Sequence, residues 1–452
     1  MTVITRICGI LKINFLLYTT YYILHNTTTM LDIKFIRENV DLVKGAILKK
    51  HINFDLDELI TLDDKRRELL GEVENLRAKQ NEVTYDISGE SDSNEREKKI
   101  KSMRDLKEVL QKKEEELAAA MKKWRTLMLQ VPNIPDVSVP DGESDAENKE
   151  IRKWGDKSHF SFKPKNHIEL MNNLDMVDLD RGVKVAGFRG YFLKNDGIML
   201  SLALWRFVFD HFAKSGYIPI GAPSLVREDN LYGTGHLPHG VEDVYKTQDG
   251  SYLSATAEIP LMGMYADEVL DYADLPKKFL AFSPCFRREA GAHGKDTKGL
   301  YRLHEFFKIE QLIFSKANHQ DSVALHEELT ANAETVLRKL GIPYRVVINC
   351  GGDIGRAHVK TYDIEAWVPS EEKYRESHSS SYYHDFQTRR LNIRYRDEKG
   401  KLHYCYSLNN TALATPRILI SLIENNQQED GSVKIPSALH SYMGKEVITP
   451  RN

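Results

Sequence analysis

From Asn53 to Gln130 the chain runs without a proline, and no other stretch restricts the fold so tightly. Leu59, Leu62, Leu69, Val73, Leu76 and Val83 follow a spacing of three and four, and after a break Ile100, Met103, Leu106, Leu110, Leu117, Met121, Trp124 and Met128 follow it again. That alternation keeps one apolar seam of a helix turned toward a partner helix. The break, Ser88-Gly89-Glu90-Ser91-Asp92-Ser93-Asn94, is turn chemistry. Two helices of similar length joined by a short turn fold back as an antiparallel hairpin. At about 1.5 Å per residue, ~30 residues per helix reach roughly 45 Å. A bare pair of that length buries little, which predicts an arm projecting from a body. Ahead of it, Ile33, Ile36, Val40, Val43 and Ile47 predict short helices over 31–52.

A chain of 452 residues with 41% hydrophobic residues is long enough for two domains and a substantial core. Its net charge of -3 excludes a global basic field, so any nucleic acid must be met by local patches. One such patch lies on the second arm helix. Arg96 to Arg125 holds eleven Lys and Arg against six Asp and Glu, a net of +5. Lys98, Lys99, Lys101, Arg104 and Lys107 cluster near the tip, where they can neutralise phosphates without reading bases. Taken alone, the arm is as readily a scaffold or a dimerisation device.

Cys8, Cys285, Cys350 and Cys405 are far apart and form no C-x-x-C, which argues against a zinc knuckle or a disulfide framework and for free thiols in a reducing cytoplasm. His236 and His239 are spaced H-x-x-H, but Gly233, Gly235, Pro238 and Gly240 surround them and no cysteine completes a zinc set; this loop is read as an active-site cover. Residues 1–29 contain an apolar, Tyr-rich run from Ile7 to Leu24, broken by Lys12 and Asn14. It has no A-x-A site and is short for a membrane span. An upstream extension without function is the first reading, organelle targeting the second.

Val131-Pro132-Asn133-Ile134-Pro135 closes the arm, and Pro140 to Asn148 is acidic. From about Ile151 many short strands alternate with helices. The expected organisation is an extension over 1–29, an N-terminal domain over 30–130 with the arm at about 56–130, a linker over 131–150, and an α+β domain over 151–452.

Chemistry concentrates in the second domain. Phe286-Arg287-Arg288-Glu289 and Arg302-Leu303-His304-Glu305-Phe306, with Glu310 beyond, flank a segment with glycines at Gly291, Gly294 and Gly299. Alternation on both sides predicts two strands of a hairpin joined by a long loop. Guanidinium groups there suit phosphate, because the planar fork makes paired, charge-assisted bonds. By itself an Arg–Glu pair on a strand is more often a structural ion pair. Asn409-Asn410-Thr411-Ala412-Leu413-Ala414-Thr415-Pro416-Arg417 then leads into an apolar run from Ile418, with Pro416 suited to a helix start and Arg417 in the first turn. Thr256-Ala257-Glu258, taken alone, reads as a helix N-cap with an acidic first turn. Tyr374-Arg375-Glu376-Ser377-His378-Ser379-Ser380 alone reads as a polar loop.

Together, these segments resemble motifs 2 and 3 of class II aminoacyl-tRNA synthetases. In their wider wording they look like seryl-tRNA synthetases of the bacterial type, from about Met30 to the C-terminus. Gly216 to Pro223, after a helix with Trp205 and Phe209, resembles motif 1, which in the family forms a dimer interface. The resemblance implies a homodimer with an antiparallel-sheet catalytic domain and a helical arm that grips the long variable arm of tRNA(Ser). The implied activity makes seryl-adenylate from L-serine and ATP, then esterifies tRNA(Ser), and tRNA(Sec) where one exists.

The same resemblance assigns site residues. Arg287 and Arg417 are the catalytic pair, and Arg287 serves both the α-phosphate and the serine carboxylate. Thr256, Ala257 and Glu258 hold the amino group, while Glu310, Asn409 and Thr411 surround the hydroxyl. Glu289, Arg302 and Arg288 complete the ATP contacts of motif 2, and Phe306 and Arg417 cover the two faces of adenine. Glu376, Ser377, His378 and Ser379 border the nucleotide, with Glu376 and Ser379 as ligands of Mg2+ and no zinc expected. His378 stands where many relatives have an S-S-C-S-like run. His293 belongs to the motif 2 loop, and His304 is read as structural. The rival readings are an amino acid:carrier protein ligase, whose relatives lack the arm, and a non-catalytic tRNA-binding protein, which would be expected to have lost its charged site residues. No HIGH or KMSKS sequence occurs, which disfavours class I chemistry.

Overall fold

A computed structural model describes residues 31–450, apart from Ala292, His293 and Lys295. The extension over 1–29 and the role of His293 lie outside the described residues. Residues 31–148 together with 349–358 form one compact unit, and 149–348 with 359–450 form the other.

The first unit starts with two short helices, α1 (Ile33–Glu38) and α2 (Val40–Lys49), where the apolar spacing predicts them. The arm consists of α3 (Leu56–Gly89) and α4 (Ser93–Met128). Asp55 and Asp92 cap these helices, each carboxylate accepting two backbone N–H groups of the first turn. Helix α3 runs through Ser88 and Gly89, so the turn is shorter than the break in the sequence suggests. At 34 and 36 residues, the helices are each about 50 Å long.

The seam is densest at the base, where Leu59, Trp124 and Met128 pack with Ile36, Val43, Ile47 and Val131. Toward the tip Leu76 and Val83 are only half-buried and Ile100 is exposed, because two helices alone cannot enclose a seam. Asp63 is buried within α3, a position the apolar spacing does not reveal. Arg37 at 3.1 Å and Arg66 at 2.7 Å neutralise it, and Arg66 also lies over the Trp124 ring at 4.7 Å. The segment 349–358 is tied in by Lys50. Its buried ammonium donates to the carbonyls of Gly355, Arg356 and His358 at 3.1, 3.0 and 2.6 Å.

The second unit is built on eight strands: β1 (Lys149–Trp154), β2 (Ile218–Gly221), β3 (Lys277–Phe286), β4 (Glu305–Ser315), β5 (Tyr344–Ile348), β6 (Lys360–Val368), β7 (Lys373–His384) and β8 (Tyr406–Thr415). Their order across the sheet is β1-β5-β6-β7-β8-β4-β3-β2. Every pair is antiparallel except β2 with β3, which fits the α+β class expected from the sequence.

Helix α5 (Asp196–Ala213), which carries Trp205, precedes β2, and α6 (Glu258–Gly263) lies before β3. Helix α7 (His319–Lys339) buries Leu329, Ala333, Val336 and Leu337 in the main core, and α8 (Arg417–Asn425) buries Ile418, Leu419, Leu422 and Ile423 there. Strand β4 is buried from Lys308 to Ser315, so its polar side chains need internal partners. Gln311, for example, accepts from Asn410 on β8 at 3.0 Å.

Candidate active site

The central strands β7, β8, β4 and β3 carry the site. β3 and β4 pair with Phe286 opposite Glu305, which places the motif 2 residues at one end of the sheet. Arg287 and Arg302 lie just beyond the strand ends rather than on them. Arg287 is fixed through its backbone: its N–H donates to the His304 carbonyl at 2.9 Å, and its own carbonyl lies 3.0 Å from His304 Nδ1. That gives His304 the structural part read from the sequence. The Arg287 guanidinium rests over the Phe306 ring at 5.3 Å.

A cleft opens there, lined by Arg287, Glu289, Arg302, Phe306, Glu376, Ser377, Ser379, Thr411 and Arg417, with Tyr301 and Lys308. Two of its three arginines are already ion-paired. Arg302 Nη1 donates to Glu289 Oε2 at 2.6 Å, and its Nε lies 3.6 Å from Asp296. Arg417, the first residue of α8, lies 3.4 Å from the Glu376 carboxylate. Arg417 and Arg375 both press on the Tyr301 ring, at 4.4 and 3.9 Å, and Arg375 pairs with Asp296 at 2.6 Å. Guanidinium stacking of this kind holds planar donors in fixed orientation.

A second polar group lies deeper. Lys308 Nζ is 2.7 Å from Glu310 Oε2, and Thr411 Oγ is 3.5 Å from both. Glu258, at the start of α6, accepts from Gln387 Nε2 at 2.5 Å. Burial pushes its carboxyl up to about 7, with the Glu310 charge adding to the effect. Tyr383 receives a hydrogen bond from Asn409 at 2.8 Å, and burial raises its hydroxyl well above the usual range. The backbone N–H of Glu258 reaches Thr256 Oγ1 at 3.4 Å, while Ala257 occupies the cap position.

Most residues singled out from the sequence therefore converge. Thr256, Ala257, Glu258, Glu310 and Asn409 belong to the deeper polar group rather than to the cleft lining, and two residues fall outside both: Arg288 is exposed, and the His378 imidazole is buried against the Ser377 hydroxyl at 2.8 Å. Burial also pulls His378 down to about 4, so it is neutral at pH 7. Half-buried His236 is likewise lowered to about 4 by desolvation, with the charges of Arg287 and Lys308 adding to the effect. Lys98, Lys101, Arg104 and Lys107 are exposed along α4, and Lys99 is half-buried. Lys98 and Lys99 make ion pairs with Glu95 and Glu90 at 2.7 and 2.8 Å.

The sequence reading missed Lys308, Tyr301, Tyr383 and Gln387. Lys308 had a signal: between Phe306 and Glu310 on one strand, it shares their face. Tyr383 and Gln387 come from β7 and the short helix Phe386–Arg390, and only the strand register brings them to Asn409 and Glu258.

Similarity to known proteins follows the same division of the chain. Residues 30–135 match the seryl-tRNA synthetase N-terminal domain, and 241–426 match the tRNA synthetase class II core domain (G, H, P, S and T). A serine–tRNA ligase of Deinococcus radiodurans is 42% identical over 421 residues, covering 93% of this chain and 99% of its own. The crystal structure of a seryl-tRNA synthetase from Pyrococcus horikoshii complexed with ATP has TM-score 0.85 at 38% identity, over 94% of this chain and 100% of that one. The cytoplasmic serine–tRNA ligase of Naegleria fowleri in complex with AMP gives 0.81 at 32% identity, over 94% and 99%. Likeness that runs through both compact units at this level of identity places the chain in the seryl-tRNA synthetase family.

Proposed function

We propose that the protein is an ATP-dependent serine–tRNA ligase that forms seryl-adenylate and pyrophosphate and then transfers serine to the 3′ end of tRNA(Ser), and of tRNA(Sec) where one exists. The observation that carries this is the joining of two sites along β4: a cationic cleft with Arg287, Phe306 and Arg417, and a deeper acceptor set of Glu310 and Thr411. The cleft suits a nucleotide, with Phe306 and Arg417 for the adenine faces and Arg287 and Arg302 for phosphates. The deeper set suits a small hydroxylated amino acid, with Thr256, Ala257 and Glu258 at its ammonium and Asn409 nearby.

Serine arrives with its carboxylate ionised, so activation requires no protein nucleophile. The protein's part is to align that carboxylate with the α-phosphorus and to stabilise the charge that develops. Glu310 selects serine over alanine, because alanine offers its buried carboxylate no hydroxyl to accept from.

Glu376 and Ser379 border the cleft with oxygen donors only, and the Glu376 side chain is 46% exposed. That donor set fits Mg2+, which takes few protein ligands and completes its shell with phosphate and water. These two residues would hold the ion, which neutralises phosphate charge when bound.

The domain assignment follows the same reading. Residues 30–130 serve as the tRNA-binding domain, with Lys98, Lys99, Lys101, Arg104 and Lys107 tracking phosphates, and 151–452 serve as the catalytic domain. Val183, Val185, Phe192, Met199, Leu202 and Ile218 are exposed apolar side chains in the stretch that leads into the motif 1 segment, which supports homodimerisation through this part of the chain. Among the described residues no helix is long and apolar enough to cross a membrane, and the protein works in the cytoplasm.

Pyrophosphate exchange into ATP, run with each amino acid in turn, tests the reading. Exchange dependent on serine is expected; exchange with another amino acid instead would overturn it.

A further inference from the structure

Lys308 lies between the two halves of the site. It alternates with Phe306 and Glu310 on β4, so all three side chains share one face. Its ammonium is bound to Glu310 at 2.7 Å and its side chain is only 9% exposed, yet it also lines the nucleotide cleft beside Arg287 and Phe306. The Glu310 oxygen that it holds is the one 3.5 Å from Thr411 Oγ, the acceptor assigned above to the serine hydroxyl. Lysine and substrate hydroxyl therefore compete for one oxygen.

We propose that Lys308 is a further catalytic residue, released from Glu310 by the serine hydroxyl and then binding the acyl–phosphate junction. The proposal rests on the serine-activating reading. A lysine has the flexible four-carbon stem and rotatable donors that such an exchange of partners needs, which a planar guanidinium lacks. In the reaction, a serine carboxylate oxygen forms a bond to the α-phosphorus. The bond from that phosphorus to the bridging oxygen of pyrophosphate breaks, and this oxygen keeps the electron pair. No proton moves. Negative charge crosses the α-phosphoryl group at the step, and a second cation in the same cleft as Arg287 stabilises it there. An amino acid without the hydroxyl leaves Lys308 on Glu310, so recognition of the side chain and chemistry at phosphorus are coupled.

Two experiments decide this. In crystals of the wild-type protein with the non-hydrolysable sulfamoyl analogue of seryl-adenylate, Nζ is expected to leave Glu310 and lie within hydrogen-bond distance of the sulfamoyl group. With the alanyl analogue it is expected to stay on Glu310. Nζ on Glu310 in both structures would overturn the proposal.

In pyrophosphate exchange, Lys308→Met is expected to lower kcat about 10²- to 10³-fold at saturating serine, as loss of a transition-state donor does, and Lys308→Arg to restore less than a tenth of it. A Lys308→Met protein with a raised KM for serine and an unchanged kcat would reduce Lys308 to a partner of Glu310. Absence of serine-dependent exchange in the wild type would instead remove the parent reading, which the crystals would not.

Discussion

Glu289 accepts a 2.6 Å hydrogen bond from Arg302 Nη1 and does so from the left-handed backbone region, at φ 55°. A residue with a β-carbon holds that conformation at a cost of about 1–3 kcal/mol, so its surroundings must fix it. The neighbouring N–H of Ala290, donating to Asp243 at 2.8 Å, helps to do so. Glu289→Ala frees Arg302 from its partner and removes a charged hydrogen bond worth about 1.5–3 kcal/mol. The expected result is a rise in KM for ATP of about 10- to 100-fold, with a much smaller change in KM for serine. Initial-rate exchange kinetics with each substrate varied would measure both.

Arg287 carries the heaviest catalytic assignment. Among the described residues no carboxylate forms an ion pair with it, while Arg302, Arg375 and Arg417 each have at least one. It is therefore the arginine of the cleft lining that is available to substrate charge. Arg287→Ala should lower adenylate formation by about 10³-fold or more, given the size of single-donor effects in such sites. Rapid-quench assay of adenylate would check it, and near-normal rates would withdraw the assignment.

Glu258 makes the site pH-sensitive. Its folded-state value of about 7 is raised above the ordinary 4.5 chiefly by burial. A raised carboxyl binds its proton more tightly in the folded protein than in the unfolded chain. Its contribution to stability is thus full below pH 4.5 and is lost as pH rises to about 7. Binding the serine ammonium needs the ionised form. Hence kcat/KM for serine should climb with pH and level off above about 7. Glu258→Gln should remove that inflection, raise KM for serine and flatten the stability profile between those limits.

Deleting residues 88–104 should leave pyrophosphate exchange intact while lowering kcat/KM for tRNA at least tenfold. The Lys98–Glu95 and Lys99–Glu90 pairs are at the surface and screened by solvent, so phosphates displace them readily. Raising salt should weaken charging by the intact protein more than by the deletion variant. Equal charging by both would end the role assigned to the arm.

Lys50→Met tests the first unit. The substitution leaves three carbonyls, of Gly355, Arg356 and His358, without their donor. A loss of about 3 kcal/mol or more is expected, since each orphaned buried acceptor costs about 1–3 kcal/mol. Urea denaturation followed by circular dichroism would measure it; a change under about 0.5 kcal/mol would show that water replaces the ammonium.

What the sequence disclosed follows from the range of the interactions. Helices α3 and α4 were legible because a seam repeats every few residues. Arg287, Glu289, Phe306 and Arg417 were legible because each belongs to a short contiguous motif. Asp63 was not, since its burial depends on Arg37, 26 residues away. The tie from Lys50 to Gly355 spans 305 residues and leaves no local trace. Gln387 meets Glu258 across 129 residues, and Tyr383 meets Asn409 only through strand register. His378 shows the opposite failure: a residue inside a motif, yet buried next to the register shift between Glu376 and His378 on β7.

Charging of a long-variable-arm serine tRNA with labelled serine, ATP and magnesium bears on every part of the reading at once. Labelled serine should appear as an ester on the tRNA, and the signal should vanish when ATP is omitted. A folded protein that leaves the tRNA unacylated, or esterifies it with a different amino acid, would contradict the function proposed here.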